Sequence, residues 1–303
     1  MFKIKQFHDY KATKIEKGWS DDIKYLLEKG SEKILLRVSD IDQFEQKKHE
    51  FEMLKQMEQA EIPTNRPIDF GIDDENAHVF MALTWIEGQD LRDVIGEFSE
   101  SKQYQLGLEA GEILKKIHQL PITQPTHTWE KHFNEKIDRR LKQYEACEIK
   151  LPNDQLFLQY INQHRHLLAK RPWCFHHGDY HIGNMILASD GKVIPIDLNR
   201  LDIGDPWEEF NRIVFCKDDS PAFAKGRVDG YFAGEVPDDF WKLLALYVAN
   251  NTLGGLPWAV KFGGEEVEFM LRQAEGVLAD YEDMKRYVPK WYSLAEMEEK
   301  KDV

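Results

Sequence analysis

Two short polar stretches carry residue types that can do chemistry together. They are HGDYHIGN at residues 177–184 and IDLN at residues 196–199. A carboxylate such as Asp179 can orient a hydroxyl group and accept its proton. Amide and carboxylate oxygens, as in Asn184 and Asp197, are the ligands that magnesium takes beside phosphate groups. The two stretches therefore predict a phosphoryl-transfer site, with Asp179 as base and Asn184 and Asp197 on the metal.

The spacing of these residues makes the pattern specific. Protein kinases carry H-R-D-x-x-x-x-N, in which the Asp is the base and the Asn binds metal. Here His177, Asp179 and Asn184 stand in the same relation. The segment from Asn184 to Asp197 is predicted to be a short β-hairpin, which brings its two ends together. Asn199 replaces the glycine of the kinase D-F-G motif, and Asn tolerates a left-handed backbone well.

The ordered pattern H-G-D-x-H-x-x-N, followed by Gly204, Asp205 and Pro206, resembles the aminoglycoside phosphotransferase family and its choline kinase relatives. The resemblance covers nearly the whole chain and implies an α+β, protein-kinase-like fold of two lobes. We place a β-rich nucleotide-binding lobe at residues 1–84 and a helical catalytic and acceptor-binding lobe at residues 85–303. A cleft between two such lobes is a natural ligand site.

Hydrophobic periodicity agrees with this division. In the first lobe we predict strands at 12–18, 23–28, 33–38, 68–71 and 78–85, and a helix at 42–59. In the second lobe we predict helices at 101–119, 129–145 and 154–169, and the hairpin strands 185–187 and 193–196. From residue 206 onward the chain is again predicted to be mostly helical.

The resemblance also implies where the nucleotide binds. The third strand of the family carries a basic residue that faces the phosphates. Here that position is Arg37, with Glu50 on the next helix as its predicted partner. Thr84 and Ile86 lie at the expected hinge between the lobes, where the Thr84 carbonyl and the Ile86 amide would bind the adenine edge. Ser20 lies between the first two strands, where a phosphate-covering loop belongs.

Arg37, its partner and Ser20 each have an alternative interpretation. Arg37 is otherwise an ordinary charge on an edge strand, and Glu52 is a second candidate for its partner. The turn that contains Ser20 is equally consistent with a plain β-turn. Asp21 and Asp22 are poor neighbours for phosphate, and we expect them to point away from it.

Composition narrows the class of partner. The net charge of −14 argues against binding nucleic acid and permits a cationic acceptor. Three widely spaced cysteines predict reduced thiols. No apolar run is long enough to span a bilayer, and the N-terminal residues lack the apolar core of a signal peptide. We expect a cytoplasmic monomer or homodimer that binds neither nucleic acid nor membrane.

Together, the residues and the resemblance predict a magnesium-dependent kinase. It would transfer the γ-phosphate of ATP or GTP to a hydroxyl of an aminoglycoside-like or other amine or sugar acceptor, and an aminoglycoside would imply antibiotic resistance. Acidic residues of the second lobe, with Trp207, Trp258 and Trp291, are candidates to face such an acceptor. Choline or ethanolamine, homoserine-like compounds and macrolides are alternative acceptors. The rival from another class is a non-catalytic, nucleotide-binding regulatory pseudokinase, suggested by Arg37 in place of lysine and by the atypical loop.

Overall fold

The computed structural model of the protein describes residues 4–16 and 22–293. The strands in chain order are β1 (Lys11–Ile15), β2 (Ile23–Lys29), β3 (Glu32–Asp40), β4 (Pro67–Ile72), β5 (His78–Thr84), β6 (Gly88–Asp90), β7 (Cys174–His176), β8 (Met185–Ala188), β9 (Val193–Pro195) and β10 (Asp202–Gly204). The helices are α1 (Phe44–Gln59), α2 (Leu91–Val94), α3 (Glu100–Ile117), α4 (Trp129–Glu145), α5 (Asp154–His164), α6 (Ile213–Asp219), α7 (Pro221–Phe232), α8 (Asp238–Ala259) and α9 (Gly264–Asp280).

The chain divides into two compact units. Unit 1 consists of Met1–Leu91 and Asn184–Leu201, and unit 2 of Arg92–Gly183 and Asp202–Val303. The sequence-based division at residue 84 assigns the segment Asn184–Leu201 to the second lobe, and in this respect it differs from the structure. The physical reason is strand pairing, because β6 forms an antiparallel ladder with β8, and β8 with β9.

Unit 1 is built on an antiparallel sheet with the strand order β1-β2-β3-β5-β4. Along β3, Ile34, Leu36 and Val38 are buried at alternating positions, as the period of two requires. They belong to one apolar core, and Arg37 lies between them in sequence and points to the other face. Because β3 is flanked by β2 and β5, the alternative of an edge-strand charge at Arg37 is wrong.

Helix α1 packs on unit 1 through an apolar stripe. Phe51, Leu54 and Met57 recur at spacings of three residues and are all buried. The Phe51 ring stacks on the Phe70 ring of β4 with a centroid separation of 5.3 Å. This packing sets the helix beside the sheet and carries Glu50 towards β3.

In unit 2, α3 and α7 touch through their backbones. A Cβ atom at Gly111 of α3 would lie 2.2 Å from the Arg227 carbonyl oxygen, and one at Gly226 of α7 would lie 2.2 Å from the Tyr104 carbonyl oxygen. No side chain fits at such distances, so glycine is required at this crossing. Helix α8 is mostly apolar and largely buried, and it packs against α4, α5 and α9 in the same unit.

The strand β7 leads directly into the H-G-D loop and pairs antiparallel with β10, with His176 opposite Asp202. The predicted helix at 154–169 ends at His164, and Arg165–Leu168 continue as a 3-10 helix. Within residues 4–16 and 22–293, no helix combines the length and the apolar character needed to cross a membrane.

Candidate active site

The predicted metal ligands Asn184 and Asp197 lie at the base of the β8–β9 hairpin in unit 1. Met185 is opposite Pro195 in the ladder, and the Ile196 amide donates to the Asn184 carbonyl oxygen at 2.9 Å. The two side chains therefore start from neighbouring positions on adjacent backbones. One amide oxygen and one carboxylate form a hard-oxygen donor set, which fits magnesium.

Asp197 adopts a left-handed backbone conformation with φ of 68°. This region is costly for most residues and is tolerated best by glycine, Asn and Asp. The sequence-based expectation put the left-handed position at Asn199, but among the described residues Asn199 does not have a positive φ. The left-handed backbone is thus at the predicted metal ligand Asp197, and the Asp197 charge acts on Arg37.

Arg37 lies in a buried group of charges, here termed the Arg37 cluster, formed by Asp22, Arg37, Lys47 and Glu50. Arg37 Nε donates to Asp22 Oδ2 at 2.8 Å, Nη2 also contacts Asp22, and Nη1 contacts Glu50. Lys47 Nζ lies 2.7 Å from Asp22 Oδ1 and 3.6 Å from Glu50 Oε2. Ser39 Oγ donates to Asp22 Oδ1 at 2.7 Å. The two positive and two negative charges of the Arg37 cluster therefore balance one another.

The protonation of the cluster follows from its pairing. Burial alone would raise the pKa of Asp22, but the charge of Arg37 and the hydrogen bonds from Lys47 and Ser39 outweigh it and lower the pKa to about 2. Burial alone would lower the pKa of Arg37, but Glu50 and Asp22 raise it above its usual value. The guanidinium is therefore permanently charged and joins β3 to α1. Its contact with phosphate remains a prediction.

Sequence reasoning missed two members of this cluster. Asp22 was expected to point away from the phosphate side, yet its carboxylate contacts Arg37, the residue predicted to face the phosphates. Lys47 lies three residues before Glu50, so both are on one face of α1, and this spacing was an available signal. The second candidate partner, Glu52, instead contacts Lys55 at 2.9 Å.

Thr84 and Ile86, the residues predicted at the hinge, have backbone groups that can accept or donate a further hydrogen bond. The Thr84 carbonyl accepts a hydrogen bond from Asn65 Nδ2 at 2.9 Å, and the Arg66 amide donates to Thr84 Oγ1 at 2.9 Å. A carbonyl oxygen has a second lone pair, so Thr84 can accept another donor. Across the described part of the chain, no backbone partner is found for the Ile86 amide. Ser20 lies outside the described residues.

In unit 2, the predicted base Asp179 lies in the loop that follows β7. Arg212 Nε lies 3.2 Å from Asp179 Oδ1, and His181 Nε2 lies 3.6 Å from the same oxygen. The Asp179 amide donates to Nδ1 of the fully buried His177 at 3.4 Å. The Asp179 side chain is 16% exposed, so its carboxylate can be reached by a ligand.

The Glu209 carboxylate fixes this loop through hydrogen bonds from backbone amides. The sequence alone marked Glu209 only as one of many acidic residues. Its carboxylate accepts the amides of His177 at 3.0 Å and Gly178 at 2.5 Å, and it accepts His118 Nε2 at 3.0 Å. Burial lowers the pKa of His118, so a neutral imidazole donates this bond. Burial alone would raise the pKa of Glu209, but interactions with His176 and His118 lower it to about 2. The loop is therefore fixed by a carboxylate that stays charged.

Two of the acidic residues that follow the loop, Asp205 and Glu208, are paired inside unit 2. Arg171 donates two hydrogen bonds to Asp205, at 2.6 and 2.8 Å, and Tyr247 donates a third at 2.6 Å. Lys136 Nζ lies 2.9 Å from Glu208 Oε1. These carboxylates already have cationic partners, so they do not form the unpaired acidic surface that a cationic acceptor would need.

The three candidate tryptophans lie in different surroundings. The Arg171 guanidinium covers the Trp207 ring at 3.5 Å, and Trp291 is buried. Trp258 is 41% exposed and packs on Phe262 with a centroid separation of 4.5 Å. Of the three, Trp258 has the surface that a ligand could use.

Folding also assembles a group that sequence spacing did not indicate, formed by the buried side chains of His118, Cys174 and His176. Both ring nitrogens of His118 contact protein oxygens, and His176 Nε2 contacts a backbone carbonyl. Burial raises the pKa of the Cys174 thiol and favours its neutral form. Internal hydrogen bonds therefore satisfy the imidazoles, and a neutral thiol is a poor metal ligand.

A sheet unit with a buried Arg–Glu pair and a helical unit with an H-G-D loop define the class of protein-kinase-like phosphotransferases. The model of the phosphotransferase enzyme family (APH) matches residues 11–241, and the chain belongs to that family. A search of the curated proteins finds no matching relative.

Solved structures show the same fold, which confirms the predicted fold class. The GDP complex of wild-type aminoglycoside 2'-phosphotransferase-IIIa is 15% identical, with a TM-score of 0.68 over 90% of this chain and 94% of that one. A choline/ethanolamine kinase family protein from Mesorhizobium loti is 13% identical, with a TM-score of 0.66 over 93% of both chains. A thermostable mutant of aminoglycoside phosphotransferase APH(4)-Ia, in a ternary complex with ADP and hygromycin B, is 15% identical, with a TM-score of 0.62 over 90% of this chain and 95% of that one.

Proposed function

We propose that the protein transfers the γ-phosphate of ATP or GTP to a hydroxyl group of a small molecule, with magnesium as cofactor. The observation that carries the proposal is the set of Asp179, Asn184 and Asp197, which follow one another in the kinase order. Asn184 and Asp197 lie at one hairpin base, and Asp179 lies on a loop that Glu209 holds. The presence of all three residues favours catalysis over the regulatory pseudokinase.

The proposed roles follow from the chemistry of each group. Asp179 orients the acceptor hydroxyl and takes its proton as the acceptor oxygen bonds to the γ-phosphorus. The bond from that phosphorus to the bridging oxygen breaks, and the nucleoside diphosphate leaves. Asn184 and Asp197 would hold magnesium, whose positive charge would offset the negative charge of the phosphates. Thr84 and Ile86 would bind the base through their backbone groups.

Arg37 takes a mainly structural role in this proposal. Its guanidinium already binds Asp22 and Glu50, so it fixes α1 to the sheet and adds positive charge near Asp197. Arginine forks to carboxylates in a way that lysine does not, which suits this double pairing. An arginine in the lysine position is therefore compatible with an active kinase.

The test is Asp179→Asn, measured by coupled release of nucleoside diphosphate from ATP and from GTP over a panel of hydroxyl compounds. We expect turnover to fall by about 100-fold or more, because a general base contributes that much. Nucleotide affinity, measured by calorimetry, should stay within about twofold, because Asp179 is assigned to the acceptor and not to the nucleotide. The matched control is Asp239→Asn, whose side chain is 66% exposed. Unchanged turnover in the Asp179 variant would sink the assignment.

A further inference from the structure

His181 lies two residues after the predicted base and faces it. Its Nε2 atom is 3.6 Å from Asp179 Oδ1, and its Nδ1 atom accepts a hydrogen bond of 3.1 Å from the Gly183 amide. A ring nitrogen that accepts a hydrogen bond carries no proton, so the proton of the neutral imidazole is on Nε2, towards the carboxylate. The 3.6 Å separation is longer than a hydrogen bond, and catalytic contacts of this kind often tighten when the substrate binds.

Arg92 of α2 connects the His181 ring to α6. Its Nη2 atom lies 3.5 Å from His181 Nδ1, and its Nε atom donates to Asp219 Oδ2 at 2.9 Å. The planar guanidinium directs several N–H groups at different partners in a fixed geometry, which a lysine ammonium does not match. All the residues of this chain of contacts belong to unit 2, from Arg92 to Asp179.

Gly183 leaves the space that this guanidinium occupies. A Cβ atom at Gly183 would lie 2.6 Å from Arg92 Cζ, and 2.7 and 2.8 Å from its two Nη atoms. No side chain fits at such distances, so the guanidinium packs directly on the backbone. Among the described residues, Gly183 is not one of the glycines with a positive φ. The backbone conformation therefore does not call for glycine here, whereas the place of Arg92 does.

Phe215 of α6 lies against both groups that contact Asp179 Oδ1. Its ring centroid is 5.6 Å from that of His181 and 5.8 Å from Arg212 Cζ. Arg212 Nε in turn lies 3.2 Å from Asp179 Oδ1. The His181 ring is therefore confined by an aromatic ring as well as by hydrogen bonds.

Stability does not account for the contact between Arg92 and Asp219. The two side chains are 42% and 29% exposed. Ion pairs at such exposure contribute little to folding, because water screens them and two long side chains lose their freedom. Positioning does account for the contact, because a displacement of about 1 Å in a catalytic site can lower the rate about 100-fold.

We propose that Arg92 is a positioning residue for the predicted base. Its guanidinium packs against Gly183 and is anchored by Asp219. In that place it holds the His181 ring with Nε2 towards Asp179, and His181 fixes the direction of the carboxylate that receives the acceptor proton. The proposal rests on the proposed function, because it states how the base of that reaction is held. Arg92 acts only through His181 and takes no part in the transfer of the proton or the phosphoryl group.

The kinetic test measures release of nucleoside diphosphate with choline, ethanolamine, homoserine, glycerol and hygromycin B, and continues with the compound of highest kcat/KM. We expect Arg92→Ala to lower kcat by about fivefold or more and to leave KM within about twofold, because the lost contact acts on the base and not on acceptor binding. The matched control, Arg272→Ala, breaks an ion pair with Glu268 on α9, where the arginine is 67% exposed, and should change neither constant. An unchanged kcat in Arg92→Ala, with Asp179→Asn inactive, would overturn the positioning role and leave the kinase assignment intact.

Two double variants separate positioning from a general loss of structure. Adding Arg92→Ala to His181→Gln should lower kcat no further, because Arg92 acts through His181, whereas independent structural effects would multiply. Gly183→Ala should lower kcat as Arg92→Ala does, because its methyl group displaces the guanidinium. It should have no further effect once Arg92→Ala has vacated the space. Multiplicative effects in either pair would contradict the proposal.

A spectroscopic measurement keeps the two proposals separate, since it needs no turnover. The ¹⁵N chemical shifts of labelled histidine rings distinguish the two tautomers, and His181→Gln identifies the His181 signals. We expect Nε2 to carry the proton, and we expect Arg92→Ala, but not Arg272→Ala, to shift these signals. A proton on Nδ1, or signals that ignore Arg92→Ala, would refute the arrangement. The expected signals in a protein that turns over none of the five compounds would instead count against the proposed function.

Discussion

The behaviour of Asp22 depends on the residues that surround it. Its side chain is 2% exposed and is held by Arg37, Lys47 and Ser39. Removing one partner from such a group leaves a buried charge uncompensated, at a cost of about 3–5 kcal/mol. Loss of the charge of any one member of the Arg37 cluster should therefore lower the stability of the folded protein.

Acid is expected to weaken this cluster between about pH 4 and pH 2. The pKa of Asp22 falls from its usual 3.8 to about 2 on folding. A carboxyl group with a depressed folded pKa stabilises the protein fully above its unfolded pKa and loses that contribution as the pH falls through the folded pKa. Asp22→Asn should melt at a lower temperature at pH 7 and show a shallower loss of melting temperature between pH 4 and pH 2. Parallel profiles for the two proteins would contradict this.

The sequence predicted some residues of the site and missed others for a definable reason. The resemblance to the phosphotransferase family implied that Arg37 pairs with Glu50, and the two side chains are in contact. Asp22 reaches the same guanidinium from another segment, and no periodicity within one element encodes that approach. Glu209 was missed likewise, because its role depends on contacts between segments distant in sequence.

At the scale of elements, the crossing of α3 and α7 depends on four glycines. They are Gly107, Gly111, Gly226 and Gly230, spaced four residues apart on each helix. Such pairs lie on one helix face, so each helix presents a groove without side chains to the other. The two backbones pack directly, and a single methyl group at this surface would have to displace a carbonyl oxygen.

Replacing Gly111 by alanine tests that contact. Its Cβ would lie 2.2 Å from the Arg227 carbonyl oxygen, whereas a Cβ at Gly276 of α9 would meet only the flexible end of Lys217, at 3.4 Å. We expect Gly111→Ala to lower the free energy of unfolding by about 3 kcal/mol or more through overpacking. Gly276→Ala should be neutral or stabilising, because alanine favours helix by about 1 kcal/mol. Urea unfolding that ranks the two variants equally would refute the contact.

Element prediction succeeded where periodicity was long enough to see. Helix α4 was predicted at residues 129–145 and has those bounds, and the strands of the first sheet fall within a few residues of their predicted ranges. The strands β6, β7 and β10 were missed, since each has three residues and none shows a repeat. They exist because a distant strand pairs with them, and a local pattern does not contain that information.

In the whole molecule, neither structural unit is a single continuous stretch of the chain. Asn184–Leu201 follows the entire first stretch of unit 2, Arg92–Gly183, in sequence but belongs to unit 1. In consequence the predicted metal ligands Asn184 and Asp197 lie in the same unit as Arg37, while Asp179 lies in the other. A ligand that binds both metal ligands therefore acts on the stability of unit 1 first.

Magnesium and nucleotide together should raise the melting temperature. A ligand that binds only the folded state at a hundredfold excess over its Kd adds about 2.7 kcal/mol, which corresponds to roughly 5–10 °C. Replacing magnesium by EDTA, or Asp197 by Asn, should remove most of that shift. Asp179→Asn should retain it, because Asp179 is assigned to the acceptor. A full shift in the Asp197 variant, measured by differential scanning fluorimetry, would disprove the metal assignment.

The hairpin between Asn184 and Asp197 also affects how related chains can be detected. Both predicted ligands lie at its base, whereas the turn at Gly191, with φ of 85°, lies at the far end. Residues added at that turn lengthen the arm and leave the base in place. The interval between the two ligands is thus free to drift during evolution, so a search that fixes it would overlook proteins with the same chemistry.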